Sequence, residues 1–268
     1  MRPEIYATLS VGARQVVALE RTVLAMGAVR RQFASEGLPD LVFQLDSTIS
    51  MSAAQLGTMK RGLFRLLKGE PVYEYVQNTP GLGPAVALVL GLLPPLTEFP
   101  KKGQRGGPYH VNSYMGLAVV NGRCPKREAG KFAGYSTLLQ GFAISRLAEP
   151  CIKCDGPFRD QYDIRRVRTA ETHPLMLDEG CPHCDEARAA SKKKRAESRQ
   201  TRERKSVGKD CSNFGGPHWT LGHQHRDAIR VVAKAVMLDL WLVENGKQPR
   251  YGAGSSSESV DQMHHAGA

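Results

Sequence analysis

The sequence predicts a mostly α-helical protein. Three observations carry this: apolar residues recur at helical spacing in its first quarter, again in a strongly apolar segment near its end, and a tight Pro-Gly turn separates two further helical patterns. Composition agrees with a packed protein, since 41% of its 268 residues are hydrophobic and 24% charged. Its longest uninterrupted apolar run, Ala85 to Leu93, is far too short for a membrane span. The start, Met1-Arg2-Pro3-Glu4, lacks the apolar core of a signal peptide, so a cytoplasmic protein is expected.

Residues 1–76 read as a helical hairpin. Val16, Val17, Leu19, Val23, Leu24 and Met26 repeat at helical spacing, with Arg14, Glu20, Arg21, Arg30 and Arg31 on other faces. Gly37-Leu38-Pro39-Asp40 breaks that element. A second helix is expected from about Ala53 to Leu67, carrying Leu56, Met59, Leu63, Leu66 and Leu67 toward the first. Packing accounts for this region.

The next region, 77–150, opens on Asn78-Thr79-Pro80-Gly81-Leu82-Gly83-Pro84. Its two glycines can take backbone angles closed to other residues, and Pro84 suits a first helical position. A Gly-x-Gly turn feeding a helix presents unpaired N–H groups to one point, which favours an anion. The spacing resembles the helix-hairpin-helix, a module that grips the DNA backbone without reading bases. That resemblance implies DNA contacts at Gly81, Leu82 and Gly83, with Lys101 and Lys102 close by in a basic loop. An ordinary helical corner that binds nothing is the alternative. A further helix is expected from about Ser136 to Ala148, stopped by Pro150.

Charge favours a polyanionic partner. Thirty-seven Lys and Arg against 26 Asp and Glu leave a net charge of +11. Residues 151–218 concentrate the unusual chemistry. Cys151-Ile-Lys-Cys154 and Cys181-Pro-His-Cys184 are C-x-x-C pairs, each able to aim two thiolates at one ion from a single turn. Together they predict a small zinc-binding insertion, with structural Zn²⁺ held by Cys151, Cys154, Cys181 and Cys184. The spacer between the pairs is longer than in most zinc ribbons, and no βαβ pattern around them suggests a redox pair. Cys211, His218, His223 and His225 could make a second metal site or simply serve as hydrogen-bonding residues before the last helix.

Two basic elements follow. Between Arg188 and Lys209 lie ten Lys or Arg and two acids, with Lys192, Lys193, Lys194 and Arg195 consecutive, which makes either a solvated arm or a phosphate clamp. On a C-terminal helix within 219–248, Arg226, Arg230 and Lys234 are spaced by four as a positive ridge, while Ile229, Val232, Val236 and Leu240 form the opposite, buried side. Asn245-Gly246 fits its C-cap. Residues 249–268, rich in Ser, Gly and Ala, are expected to form a disordered tail.

With these elements in order, the chain resembles the C-terminal half of the DEDD-type insertion-sequence transposases. The matching residues are Thr79-Pro80-Gly81-Leu82-Gly83-Pro84, Ala87-Leu88, Leu96-Thr97-Glu98-Phe99, Tyr114-Met115-Gly116-Leu117 and Gly134-Tyr135-Ser136-Thr137-Leu138-Leu139, covering about residues 55 to 148. The helix from Gly222-His223-Gln224-His225 to Leu240-Trp241 resembles such proteins too. The family sets a RuvC-like nuclease domain before a coiled-coil segment and the helix-hairpin-helix domain.

Two departures shape what the resemblance implies. No counterpart of the nuclease domain precedes the hairpin. Where the family places a catalytic serine, this chain has Asn121-Gly122, and an amide cannot act as that nucleophile. The implied function is binding of double-stranded DNA, with RNA as an open alternative polyanion, without a complete catalytic site. Rival readings are an active transposase or recombinase, using Ser113, Ser136 or a separate nuclease subunit, and a zinc-bearing protein-interaction module. A homo-oligomer is open under each.

Overall fold

The architecture is helical, as the sequence predicts, in a computed structural model that describes residues 1–99, 107–118, 136–177, 179–201 and 210–252. Among the described residues the only sheet-like pairing is one isolated bridge between Leu175 and Trp219. The chain divides into two units: Met1–Gly156 with Ala233 onward, and Pro157–Val232.

In the first unit, α1 (Pro3–Ser35) and α2 (Pro39–Leu66) form the expected antiparallel hairpin. Each starts on a proline, whose fixed φ and missing N–H suit a first helical turn. α2 begins at Pro39 rather than near Ala53, because an exposed arm needs no continuous apolar stripe to stay helical. Only the proximal half is core: Leu9, Ala13, Val16 and Val17 of α1 and Leu56, Leu63 and Phe64 of α2 are buried. No residue from 18 to 55 is buried, and Leu24, expected in the packed stripe, is 73% exposed. Polar contacts hold the arms instead. Arg30 donates twice to Asp46, at 2.5 and 2.9 Å, while Glu20 of α1 accepts from Lys60 of α2 at 2.5 Å.

α3 (Pro71–Asn78) and α4 (Ala85–Leu92) are joined by the turn 79–84. α4 is apolar on every side and its Val86 to Leu90 are buried, packed against both α1 and α2. Here Gly81 takes φ +83°, and a Cβ on it would overlap the backbone of Cys151 and lie 2.7 Å from the Pro150 carbonyl oxygen. No other residue fits there.

α5 (Pro108–Tyr114) is followed, after residues not described, by α6 (Thr137–Phe142), capped by Ser136, whose Oγ accepts the Leu139 N–H at 3.3 Å. α6 runs through a π-helical stretch, Ala143–Ala148, into α7 (Glu149–Cys151), so the predicted helix extends slightly past Pro150. Arg146 in that stretch donates to Glu20 at 3.0 Å, fixing it to α1.

The second unit holds α8 (Pro157–Thr172), α9 (Pro182–Thr201) and a 3-10 turn, Cys211–Phe214. α10 (Leu221–Glu244) begins in it and ends in the first unit, burying the expected Ile229, Val232, Val236 and Leu240. After α10, the tail expected to start at 249 is held at first. Buried Asp239 accepts the backbone N–H groups of Arg250, Tyr251 and Gly252 at 2.7, 3.0 and 2.7 Å, and the Tyr75 hydroxyl at 3.0 Å. The rest of that tail lies outside the described residues.

Candidate metal centre

Local folding brings four soft donors together. Cys181 stands immediately before α9 and Cys184 in its first turn, where the N–H groups of Cys184 and Asp185 bond to the Cys181 carbonyl at 3.0 and 3.2 Å. That turn aims both sulfurs to one side. Cys211 opens the 3-10 turn, and the Gly216 N–H bonds back to its carbonyl at 3.1 Å. At Gly216 a Cβ would run into the Cys211 sulfur, so the loop returning toward His218 needs glycine at this point. The donor atoms of Cys181, Cys184, Cys211 and His218 all lie within 4.8 Å of one another, with the three cysteines buried and His218 half-buried.

Four of the six separations between the donors match a tetrahedral ion. With Zn–S near 2.3 Å and Zn–N between about 2.0 and 2.1 Å, a tetrahedron has S···S edges of about 3.8 Å and S···N edges of about 3.5 to 3.6 Å. Cys181 Sγ lies 3.8 Å from Cys211 Sγ. His218 Nδ1 lies 3.6 Å from Cys181 Sγ and 3.5 Å from the sulfurs of both Cys184 and Cys211. The centre can therefore hold one metal ion, with His218 coordinating through Nδ1. Burial pushes the Cys184 thiol up to about 11, whereas the Cys184 N–H holds Cys181 below the ordinary thiol value.

The surrounding shell fixes the ligand loops. Trp219, next to His218, is stacked between His173 (centroids 3.8 Å) and His223 (4.0 Å). Asp210, next to Cys211, accepts the Thr220 N–H at 2.7 Å and pairs with His223 Nδ1 at 2.5 Å. Its partly buried carboxyl would be raised by desolvation, but those bonds outweigh it and hold the pKa below the ordinary carboxylate value. Such contacts orient ligands they do not replace.

The ligand set corrects the sequence expectation. Cys181 and Cys184 are in the centre, while Cys151 and Cys154 are not. Four donors already complete a tetrahedron, and the first pair belongs to the other unit. There Cys151 is buried at the end of α7, its thiol pushed up to about 12 by burial, and Cys154 is half-buried. The pool of possible second-site ligands splits accordingly. Cys211 and His218 join the first site, His223 binds Asp210, and His225 Nδ1 pairs with the Tyr162 hydroxyl at 2.7 Å. Cys124 lies outside the described residues. The signal that could have found Cys211 and His218 is a thiol and an imidazole seven positions apart, downstream of a C-x-x-C pair.

The residues expected to meet DNA belong to both units. Gly81, Leu82 and Gly83 lie in the turn joining α3 to α4, in which the Leu82 N–H already bonds to the Thr79 carbonyl at 3.2 Å. Gly81 is covered by the Cys151 backbone, whereas a Cβ on Gly83 would meet nothing within 4 Å. Lys101 and Lys102 lie outside the described residues. On α9, Lys192, Lys193 and Arg195 are exposed and Lys194 is half-buried. The α10 ridge is fully exposed only at Arg226; Lys234 is half-buried, and Arg230 has a buried Nε and a pKa lowered by burial. Ser136, a candidate nucleophile, is the α6 cap. Among the described residues no helix is long and apolar enough to cross a membrane.

Comparison of the chain with protein-family models, with curated proteins and with solved structures finds no match.

Proposed function

We propose that this chain binds double-stranded DNA through the α3–α4 hairpin, as a relative of the C-terminal domain of an insertion-sequence transposase, and that its Cys₃His centre carries a structural zinc. The observation that carries the DNA reading is the turn joining α3 to α4. Two helices of 8 residues meet at a turn whose outer edge, at Gly83, is open, on a chain of net charge +11. An open turn leading into a helix suits a phosphate oxygen, and the charge draws polyanions toward it.

Zinc is supported by the donor set and its edges. Three thiolates and an imidazole in a closed tetrahedron suit Zn²⁺ over harder ions and leave no open position for catalysis. Bound there, zinc would tie α9, the 3-10 turn and the approach to α10 together.

Binding without cleavage is the expected behaviour, because Asn121 stands where the related family has its serine nucleophile. The test is affinity for random-sequence duplex DNA over a range of salt, followed by incubation with supercoiled plasmid and Mg²⁺. Salt-sensitive binding with no nicking is expected. A chain that ignores duplex DNA at low salt overturns the reading.

A further inference from the structure

We infer that a cleft between α2 and the α3–α4 turn seats a phosphodiester of duplex DNA, with Arg61 and Arg65 as its cationic wall. This rests on the DNA-binding reading and gives it a specific address. Neither arginine belongs to the turn, to the basic arm of α9 or to the α10 ridge.

The cleft has a volume of about 390 Å³. Arg61 and Arg65 line one side, one helical turn apart on α2; Gln77 of α3 and Leu82, Gly83 and Pro84 of the turn line the other. No carboxylate is among its lining residues. Its floor is apolar: Phe64 is 7% exposed and stacks on Tyr73 with ring centroids 4.9 Å apart. Two guanidinium groups above an apolar floor act in a lower effective dielectric than on open surface, which strengthens their hold on an anion.

Both arginines are exposed and unneutralised. Arg2, Arg30 and Arg146 of the same unit each bind a carboxylate, at Glu70, Asp46 and Glu20. Among the described residues neither Arg61 nor Arg65 does so, and Arg61 only touches the Thr58 hydroxyl at 3.3 Å. An arginine pair free of acids is suited to planar, bidentate recognition of phosphate oxygens. The volume exceeds what one phosphate group fills and leaves room for the flanking sugars. Gln77 is the only lining side chain with both a donor and an acceptor for a base edge besides the Tyr73 hydroxyl, so backbone contact, not base reading, is the chemistry on offer.

The test uses the full chain and fluorescein-labelled random duplex DNA, read by anisotropy across salt concentrations. Arg61→Gln with Arg65→Gln should lower the slope of log affinity against log salt by roughly 1.8, about 0.9 for each phosphate contact removed. At low salt it should weaken binding tenfold or more. Lys68→Gln, on the same stretch but outside the cleft, should change both much less. A second readout needs no variant: duplex DNA should protect Arg61 and Arg65 from phenylglyoxal, scored by mass spectrometry. Unchanged slope and affinity in the double variant, or full modification of both arginines at saturating DNA, overturns the seat while the DNA-binding reading stands. Failure of the unmodified chain to bind duplex DNA overturns both.

Discussion

Gly81 and Cys151 meet backbone to backbone: the hairpin turn is pressed so closely onto the end of α7 that a Cβ on Gly81 would overlap the Cys151 Cα. The first C-x-x-C pair thereby serves as a packing surface for the turn. The Cys151 side chain is buried there, and burial pushes its thiol up to about 12.

From that contact, Gly81→Ala should be costly and Gly83→Ala nearly silent. At Gly81 the left-handed backbone alone costs of order 1–3 kcal/mol, and the overlap with Cys151 adds to it. Gly83 has open space and no positive φ. Urea unfolding of the two variants should differ by about 2 kcal/mol or more; equal midpoints would show that the turn is not pinned.

Metal content should follow the structure rather than the C-x-x-C spacing. The protein purified under reducing, chelator-free conditions should carry about one zinc per chain. Cys211→Ser and His218→Ala should lose most of it, while Cys154→Ser keeps it. Cobalt substitution should give the absorption of tetrahedral thiolate coordination. Zinc that depends on Cys151 and Cys154, and is indifferent to Cys211, would reject the Cys₃His assignment.

Asp210 should matter at neutral pH and cease to matter in acid. Its folded pKa lies below the ordinary carboxylate value, burial opposing and the His223 and Thr220 bonds prevailing. A depressed carboxylate contributes its full stability above the unfolded value and loses it as pH falls through the folded one. Asp210→Ala should therefore cost roughly 1–3 kcal/mol near pH 7. The gap between variant and parent should narrow below about pH 4, measured by thermal unfolding. A gap that widens in acid would contradict the sign.

Asp239 should prove one of the chain's most sensitive positions. It is fully buried and accepts three backbone N–H groups and a hydroxyl. Asp239→Asn places an amide N–H₂ against donors, and a loss of about 3 kcal/mol or more is expected. Limited proteolysis should then cut near residues 250–252, which the parent protects. Equal protection in both proteins would mean that the tail is held by something else.

The helical hairpin was legible because Gly37-Leu38-Pro39 punctuates two apolar-periodic stretches, and the α3–α4 turn because Pro80 to Pro84 leaves few backbone choices. How far the hairpin's core extends was not, since Leu24 fits the periodicity yet lies where no partner covers it. At the metal site, Cys181 and Cys184 announce themselves through local spacing. Cys211 and His218 reach the site only through the fold of the loop before α10, a long-range fact that spacing does not carry. Arg61 and Arg65 were invisible for a related reason: on α2 they flank an apolar stripe, and their cleft exists only once α3 and the turn lie across them.

Of α9's residues from Pro182 to Glu197, only Cys184 and Ala187 are buried, and the apolar cluster at its start consists of Cys181, Cys184 and Cys211 with Met176 against them. A helix so poor in apolar contacts derives little of its anchorage from the hydrophobic effect. If the centre holds zinc as proposed, the docking of α9 becomes a mass-action quantity: above saturation, each tenfold rise in free zinc would add about 1.4 kcal/mol to the bound state. With zinc bound as proposed, the cluster Lys192 to Arg195, three turns along the same helix, would inherit that dependence, and ambient zinc would set how often those four charges are presented from a fixed base.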